Sequence, residues 1–138
     1  MDEAKRQALM RYLEFETTDL DVSHEIYHDD AILEFPQSGE RFEGVATFTE
    51  WRRHYPADPA QMRFGIRRVT ARLDLAVVEL TATYDGTSWL QAVQLLEFRG
   101  DKVAHERIYV MDAWEAPQWR APWRSDTPAD PPKEVSPI

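Results

Sequence analysis

The chain has 138 residues, 43% of them hydrophobic and 12% aromatic, which fits one compact domain with its own core. Sixteen basic against 25 acidic residues leave a formal charge of −9, a balance that repels phosphate backbones and anionic lipid and argues against nucleic-acid and membrane-surface partners. The absence of cysteine removes disulfides and thiolate chemistry; with a charged N-terminus and no apolar run near the ~18 residues of a bilayer span, a cytoplasmic protein is expected.

In chain order, Leu9, Tyr12, Leu13 and Glu16 recur at i, i+3, i+4 and i+7 and predict a helix from Asp2 to Glu16. Thr18 and Asp21 have capping-box spacing and predict a second helix through Tyr27. Ala31 to Phe35, AILEF, reads as a short strand that Pro36 must end, because proline cannot donate to a ladder; Gln37-Ser38-Gly39 then turns the chain. After Gly44, the spacing of Val45, Phe48, Trp51 and Tyr55 predicts a third helix with an aromatic face, halted by Pro56.

Four β-rich segments follow: Met62–Leu73, Leu75–Asp85, Ser88–Phe98 and Lys102–Met111. Asp85-Gly86 and Arg99-Gly100-Asp101 mark hairpins, and the consecutive Arg67-Arg68 marks a bulge that bends its strand. Helices first and antiparallel strands afterwards predict an α+β layer fold, three N-terminal helices packed against a curved, mostly antiparallel mixed sheet. Trp114, Trp119 and Trp123 fall in a proline-spaced segment, 112–124, expected to pack across the sheet or a partner, with closure of a cavity mouth as the alternative. Residues 125–138 are expected to be a disordered tail.

The strings TDLD from Thr18, YHDDAILEFP from Tyr27 and ERFEG from Glu40, in this order of elements, resemble the nuclear-transport-factor-2-like superfamily over about residues 5 to 115. The likeness is to its SnoaL-like and ketosteroid-isomerase-like branch. It implies a cone-shaped α+β barrel formed by one domain, residues 1–124, whose hollow takes a small hydrophobic molecule without any cofactor. It also implies a homodimer paired through the sheet.

In the ketosteroid isomerases the proton-shuttling aspartate precedes the proline that ends the first strand; here that position is Phe35, and Glu34, one residue earlier, points to the other face of a regular strand. The groups that hold the enolate in those enzymes correspond to positions near Tyr12 and at Gln94. SnoaL-type cyclases resemble the chain through a tyrosine on the first helix and through acidic or histidine side chains on the closing strands, where His105, Glu106 and Asp112 lie. The candidate catalytic set is therefore Tyr12, His105, Glu106 and Asp112, and the candidate binding set is Gln94, Phe35, Glu34, Trp51 and Tyr55.

Parity restricts these sets. On Ser88–Phe98 the apolar positions Leu90, Ala92, Leu96 and Phe98 should face inward, taking the polar Gln94 with them. His105 and Glu106 are adjacent and cannot both face the hollow from a regular strand. His24, His28, Asp29 and Asp30 could suggest a metal, but no third imidazole follows at ligand spacing and a helix C-terminus explains the pair, so no metal is expected. No phosphate-binding loop, GxSxG or HExxH occurs. Three functions fit: a cyclase, isomerase or dehydratase using cofactor-independent acid–base chemistry, a non-catalytic module that holds a hydrophobic ligand, or a structural dimer whose tryptophan-rich interior fills its own cavity.

Overall fold

The computed structural model describes residues 1–129 and the backbone of Lys133 and Glu134. Helix α1 (Glu3–Phe15) starts where the Asp2 carboxylate accepts the Lys5 amide at 2.9 Å, and it buries Leu9, Tyr12 and Leu13 along one stripe. Helix α2 (Leu20–Ser23) is shorter than its sequence predicts. Asp19, not Thr18, caps it by accepting the Val22 amide, and after a 3₁₀ turn at His24–Ile26 the chain is already extended at Tyr27. Strand β1 (Tyr27–Phe35) therefore begins four residues earlier than the apolar run AILEF indicates, because the polar His28, Asp29 and Asp30 belong to it.

Strand β2 (Glu40–Glu43) is an edge strand absent from the sequence reading, since Phe42 is its one apolar residue. It pairs antiparallel with β1 across the Pro36–Gly39 turn. Gly44 then turns into helix α3 (Val45–Arg53) at φ +88°, with its amide on the Ala31 carbonyl; a Cβ there would be strained by the backbone alone. Phe48 of α3 is fully buried, a contribution of ~1.5–3 kcal/mol, and its ring stands 4.9 Å from that of Tyr27.

Strands β3 (Arg63–Arg72), β4 (Leu75–Thr83), β5 (Trp89–Arg99) and β6 (Lys102–Asp112) form an antiparallel meander. The β3–β4 register slips between Ile66 and Arg68, where the bulge was expected. β6 then pairs parallel with β1, and the two-residue strand β7 (Lys133–Glu134) adds to β3, giving the sheet order β2-β1-β6-β5-β4-β3-β7. The sheet is curved and open, and the helices pack on its concave face, so the α+β cone is the architecture observed.

The rest of the tail, 130–132 and 135–138, lies outside the described residues. The 3₁₀ segment Gln118–Trp123 buries no residue, and Trp114, Trp119 and Trp123 are 73–79% exposed. These indoles neither cover the sheet nor close a cavity within this chain. Among the described residues no helix is long and apolar enough to cross a membrane.

Candidate active site

Between the helices and the concave face lies a cavity of ≈ 730 Å³, within the ~300–1,000 Å³ range of small-molecule sites. Its wall is largely aromatic. Phe35, Phe42 and Trp51 form one cluster with ring centroids 5.2–6.2 Å apart, and Tyr55 stacks on Tyr84 at 4.8 Å with Phe64 edge-on to the latter. Leu80, Ala82, Leu90, Ala92 and Ile108 complete the apolar lining from the sheet.

The lining also carries polar side chains, Gln37, Ser38 and Glu40 from the turn after β1 and, from the helices and β5, Glu16, His24, Arg52 and Gln94. Glu16 follows the last turn of α1, one turn beyond Tyr12 and Leu13, so its carboxylate continues the buried stripe. Its Oε1 accepts from the Tyr12 hydroxyl at 3.3 Å and from Gln94 Nε2 at 3.3 Å. Gln94 Nε2 also donates to the Tyr12 oxygen at 3.1 Å. Burial raises the Glu16 pKa to about 7, because removal from water penalises the carboxylate more than Arg52, Gln94 and Tyr12 stabilise it. The Tyr12 phenol is pushed well above its ordinary value, by burial first and then by Glu106, so it stays a neutral donor.

Arg52, on α3, donates through Nη1 to His24 Nε2 at 2.7 Å and through Nη2 to Glu106 Oε2 at 3.4 Å. Because a guanidinium only donates, His24 Nε2 must accept; the ring proton therefore sits on Nδ1, 2.6 Å from Thr49 Oγ1. Burial, with Arg52 next, lowers the His24 pKa to about 3, so the ring is neutral. Glu106 is fully buried, and its Oε1 accepts from Tyr27 at 2.7 Å; burial still raises its pKa above the ordinary value.

The predicted residues divide among these environments. Gln94, Phe35, Trp51 and Tyr55 line the cavity. Tyr12 and Glu106 are buried behind its wall, so they reach a ligand only through Glu16, Gln94 and Arg52. The remaining candidates need correction. His105 and Glu34 lie on the opposite face of the sheet, where His105 Nε2 bonds Glu34 Oε2 at 2.8 Å, because a register shift between Val103 and His105 puts both Val103 and Glu106 on the interior side of β6 and leaves His105 outside. Asp112 is exposed at the end of β6, paired in register with Leu90 and outside the cavity lining.

Sequence reasoning missed Glu16, Arg52 and His24. The signal for Glu16 was its place in the apolar stripe of α1. Arg52 and His24 gave none, since a helix-end arginine and histidine read as solvated. Among the described residues no group of three or more His, Asp or Glu is placed to hold a metal ion.

Residues 7–106 match the SnoaL-like domain family. A comparison with curated proteins gave no match. Among solved structures, an NTF-2 like protein of unknown function from Burkholderia xenovorans LB400 is 38% identical, with a TM-score of 0.82 over 91% of this chain and 97% of that one. A candidate ketosteroid isomerase from Kribbella flavida DSM 17836 is 23% identical, with a TM-score of 0.81 over 96% of each chain. An LEH-like epoxide hydrolase of M. tuberculosis is 18% identical, with a TM-score of 0.62 over 78% of this chain and 82% of that one. The last two likenesses concern the fold alone.

Proposed function

Because the chain belongs to the SnoaL-like domain family, we propose that it is a cofactor-independent acid–base enzyme of the isomerase, cyclase or dehydratase kind, acting on a small hydrophobic molecule in the cone. One observation carries this reading: a carboxyl group with a pKa of about 7, Glu16, at the edge of an aromatic cavity. Glu16 takes a proton from carbon next to a substrate carbonyl, and the C–H electron pair passes into the new C=C as the carbonyl becomes an enolate. Returning the proton to another carbon completes an isomerisation. Tyr12 acts as a positioning residue, through its bond to Glu16.

The test is deuterium exchange into α-positions of cyclic ketones in D₂O, followed by NMR. Wild type is expected to catalyse exchange with a pH profile inflecting near 7. Glu16→Gln is expected to lose ~10²–10⁴-fold in rate while keeping its affinity for the ketone. Equal rates in wild type and Glu16→Gln would overturn the role of Glu16. Binding without exchange would favour the second reading, a non-catalytic hydrophobic-ligand module, which Phe35 supports by lining the cavity where the resemblance places a base.

The same proposal includes a cytoplasmic homodimer. On the outer sheet face Val77, Val93, Leu95, Tyr109 and Met111 are half-buried neighbours, an apolar centre suited to self-pairing. Sedimentation of Leu95→Arg should give a monomer where wild type gives a dimer; a wild-type monomer would refute the pairing.

A further inference from the structure

The Arg52 guanidinium carries more N–H groups than its bonds to His24 and Glu106 use. Among the described residues its Nε makes no hydrogen bond and is not sealed from solvent. This N–H is therefore open, on a side chain that lines the cavity and is 16% exposed. Glu16 is left in the complementary state: Oε1 accepts from Tyr12 and Gln94, whereas Oε2 has no partner among the described residues and is likewise not sealed. The lining thus presents an open donor on α3 and an open acceptor just past the end of α1. Arg52 is also the one cation among the described lining residues, because His24 is neutral, and its charge is felt at Glu16, where it opposes the rise in pKa that burial causes. Glu106, tied to Tyr27, and His24, tied to Thr49, hold the two Nη atoms, so the guanidinium is fixed before a ligand arrives.

We infer that Arg52 is the second catalytic residue of this cavity: its Nε–H donates to the carbonyl oxygen of the substrate and holds the enolate that forms when Glu16 Oε2 removes the α-proton. The inference rests on the proposed role of Glu16 and adds the group that receives the charge. In this step the C–H electron pair becomes the new C=C bond, the carbonyl π pair moves to oxygen and the proton goes to Oε2; Arg52 keeps its own protons. Negative charge passes from Glu16 to the substrate oxygen, so the net charge of the site does not change, and the new anion meets a cation already in place. Tyr12 cannot take this part, since it is fully buried and its hydroxyl is committed to Glu16.

The experiment reads the ionisation of bound 2-naphthol, a phenol whose anion mimics the enolate and absorbs at longer wavelength than the neutral form. It is run in Glu16→Gln, because a neutral side chain there reproduces the protonated Glu16 that accompanies the enolate. Bound naphthol is expected to ionise about one pH unit or more below free naphthol, and Arg52→Met in the same background should abolish the shift. In the deuterium-exchange assay, Arg52→Met with Glu16 intact should lose ~10²–10³-fold in kcat with KM nearly unchanged. Bound naphthol that ionises like free naphthol, or a shift that survives Arg52→Met, overturns the inference. So does exchange at the wild-type rate in Arg52→Met, and Glu16 then remains the base. A shift that depends on Arg52 in a protein that exchanges no deuterium supports the oxyanion role of Arg52 and overturns the base role of Glu16. If 2-naphthol does not bind, both roles fall. Where Arg52→Met does not fold, Arg52→Met with Glu106→Leu, which leaves neither partner of the pair charged, carries the same comparison.

Discussion

Strand β6 places two similar sets of charges in opposite surroundings. On its inner face Glu106 is fully buried, with Tyr27 and Arg52 as its partners. On its outer face His105 and Arg107 meet Glu34 and Glu97 at about a third of full side-chain exposure. The bonds are of comparable length, 2.7–3.4 Å inside and 2.8–3.5 Å outside. The difference is solvent: water can replace a lost partner outside and cannot inside, so contact distance alone does not rank these interactions.

The largest effect expected is therefore at the inner pair. Glu106→Ala leaves the Arg52 cation buried without its carboxylate and should cost ~3–5 kcal/mol in urea unfolding. Replacing both partners by apolar residues, Arg52→Met with Glu106→Leu, should recover most of that loss. A double variant as unstable as the single would break the comparison.

A pH scan sharpens it at intermediate scale. Glu16 ionises near 7 when folded and near 4.5 when unfolded, so the folded protein holds this proton more tightly. Its contribution is complete below pH 4.5 and is lost as pH rises through 7. Glu16→Gln should therefore be more stable than wild type above pH 7, by on the order of 2 kcal/mol. His24 has the opposite sign: its folded value of about 3 lies below the ordinary 6.5, so its contribution is complete above pH 6.5 and disappears as pH falls toward 3. Wild-type minus variant curves for Glu16→Gln and His24→Asn should slope in opposite directions, and parallel slopes would contradict the assignment. The smallest effect belongs outside: His105→Ala and Glu34→Ala should each change stability by ~0.2–1 kcal/mol, less at high salt, and leave ligand affinity untouched.

Much of the frame was legible because local chemistry and global fold agree in it. Asp85 with Gly86, and Gly100, signal tight hairpins, and both turns form with positive-φ glycines. The alternation on β5 correctly turns Gln94 inward with Ala92, Leu96 and Phe98. Tertiary contacts decided the rest. β2 forms because Phe42 packs on Phe35 and Trp51, which its charged sequence does not announce. Glu16 stands in the apolar stripe of α1, but a carboxylate at a helix end gives no sign that it is buried until the sheet folds over it, and the parity argument that separates His105 from Glu106 does not say which of them faces inward. That choice goes with the partner on the neighbouring strand β1, Tyr27, which supplies a hydroxyl to the interior and none to the surface.

The parallel pairing of β1 with β6 has a kinetic consequence. Tyr27 and Glu106 lie 79 residues apart in the chain, and Gln94 lies 82 from Tyr12. The ends of so long a loop meet only after its closure entropy has been overcome, a step that slows folding in proportion to such distant contacts. The antiparallel meander from β3 to β6 can zip up locally and early, whereas the acid–base pocket exists only once the first and last of the long strands are joined. Refolding followed by Trp51 fluorescence, in a variant whose other four tryptophans are replaced by phenylalanine, should thus report the slowest phase, and a chain arrested before β6 would carry a hydrogen-bonded sheet with no site in it.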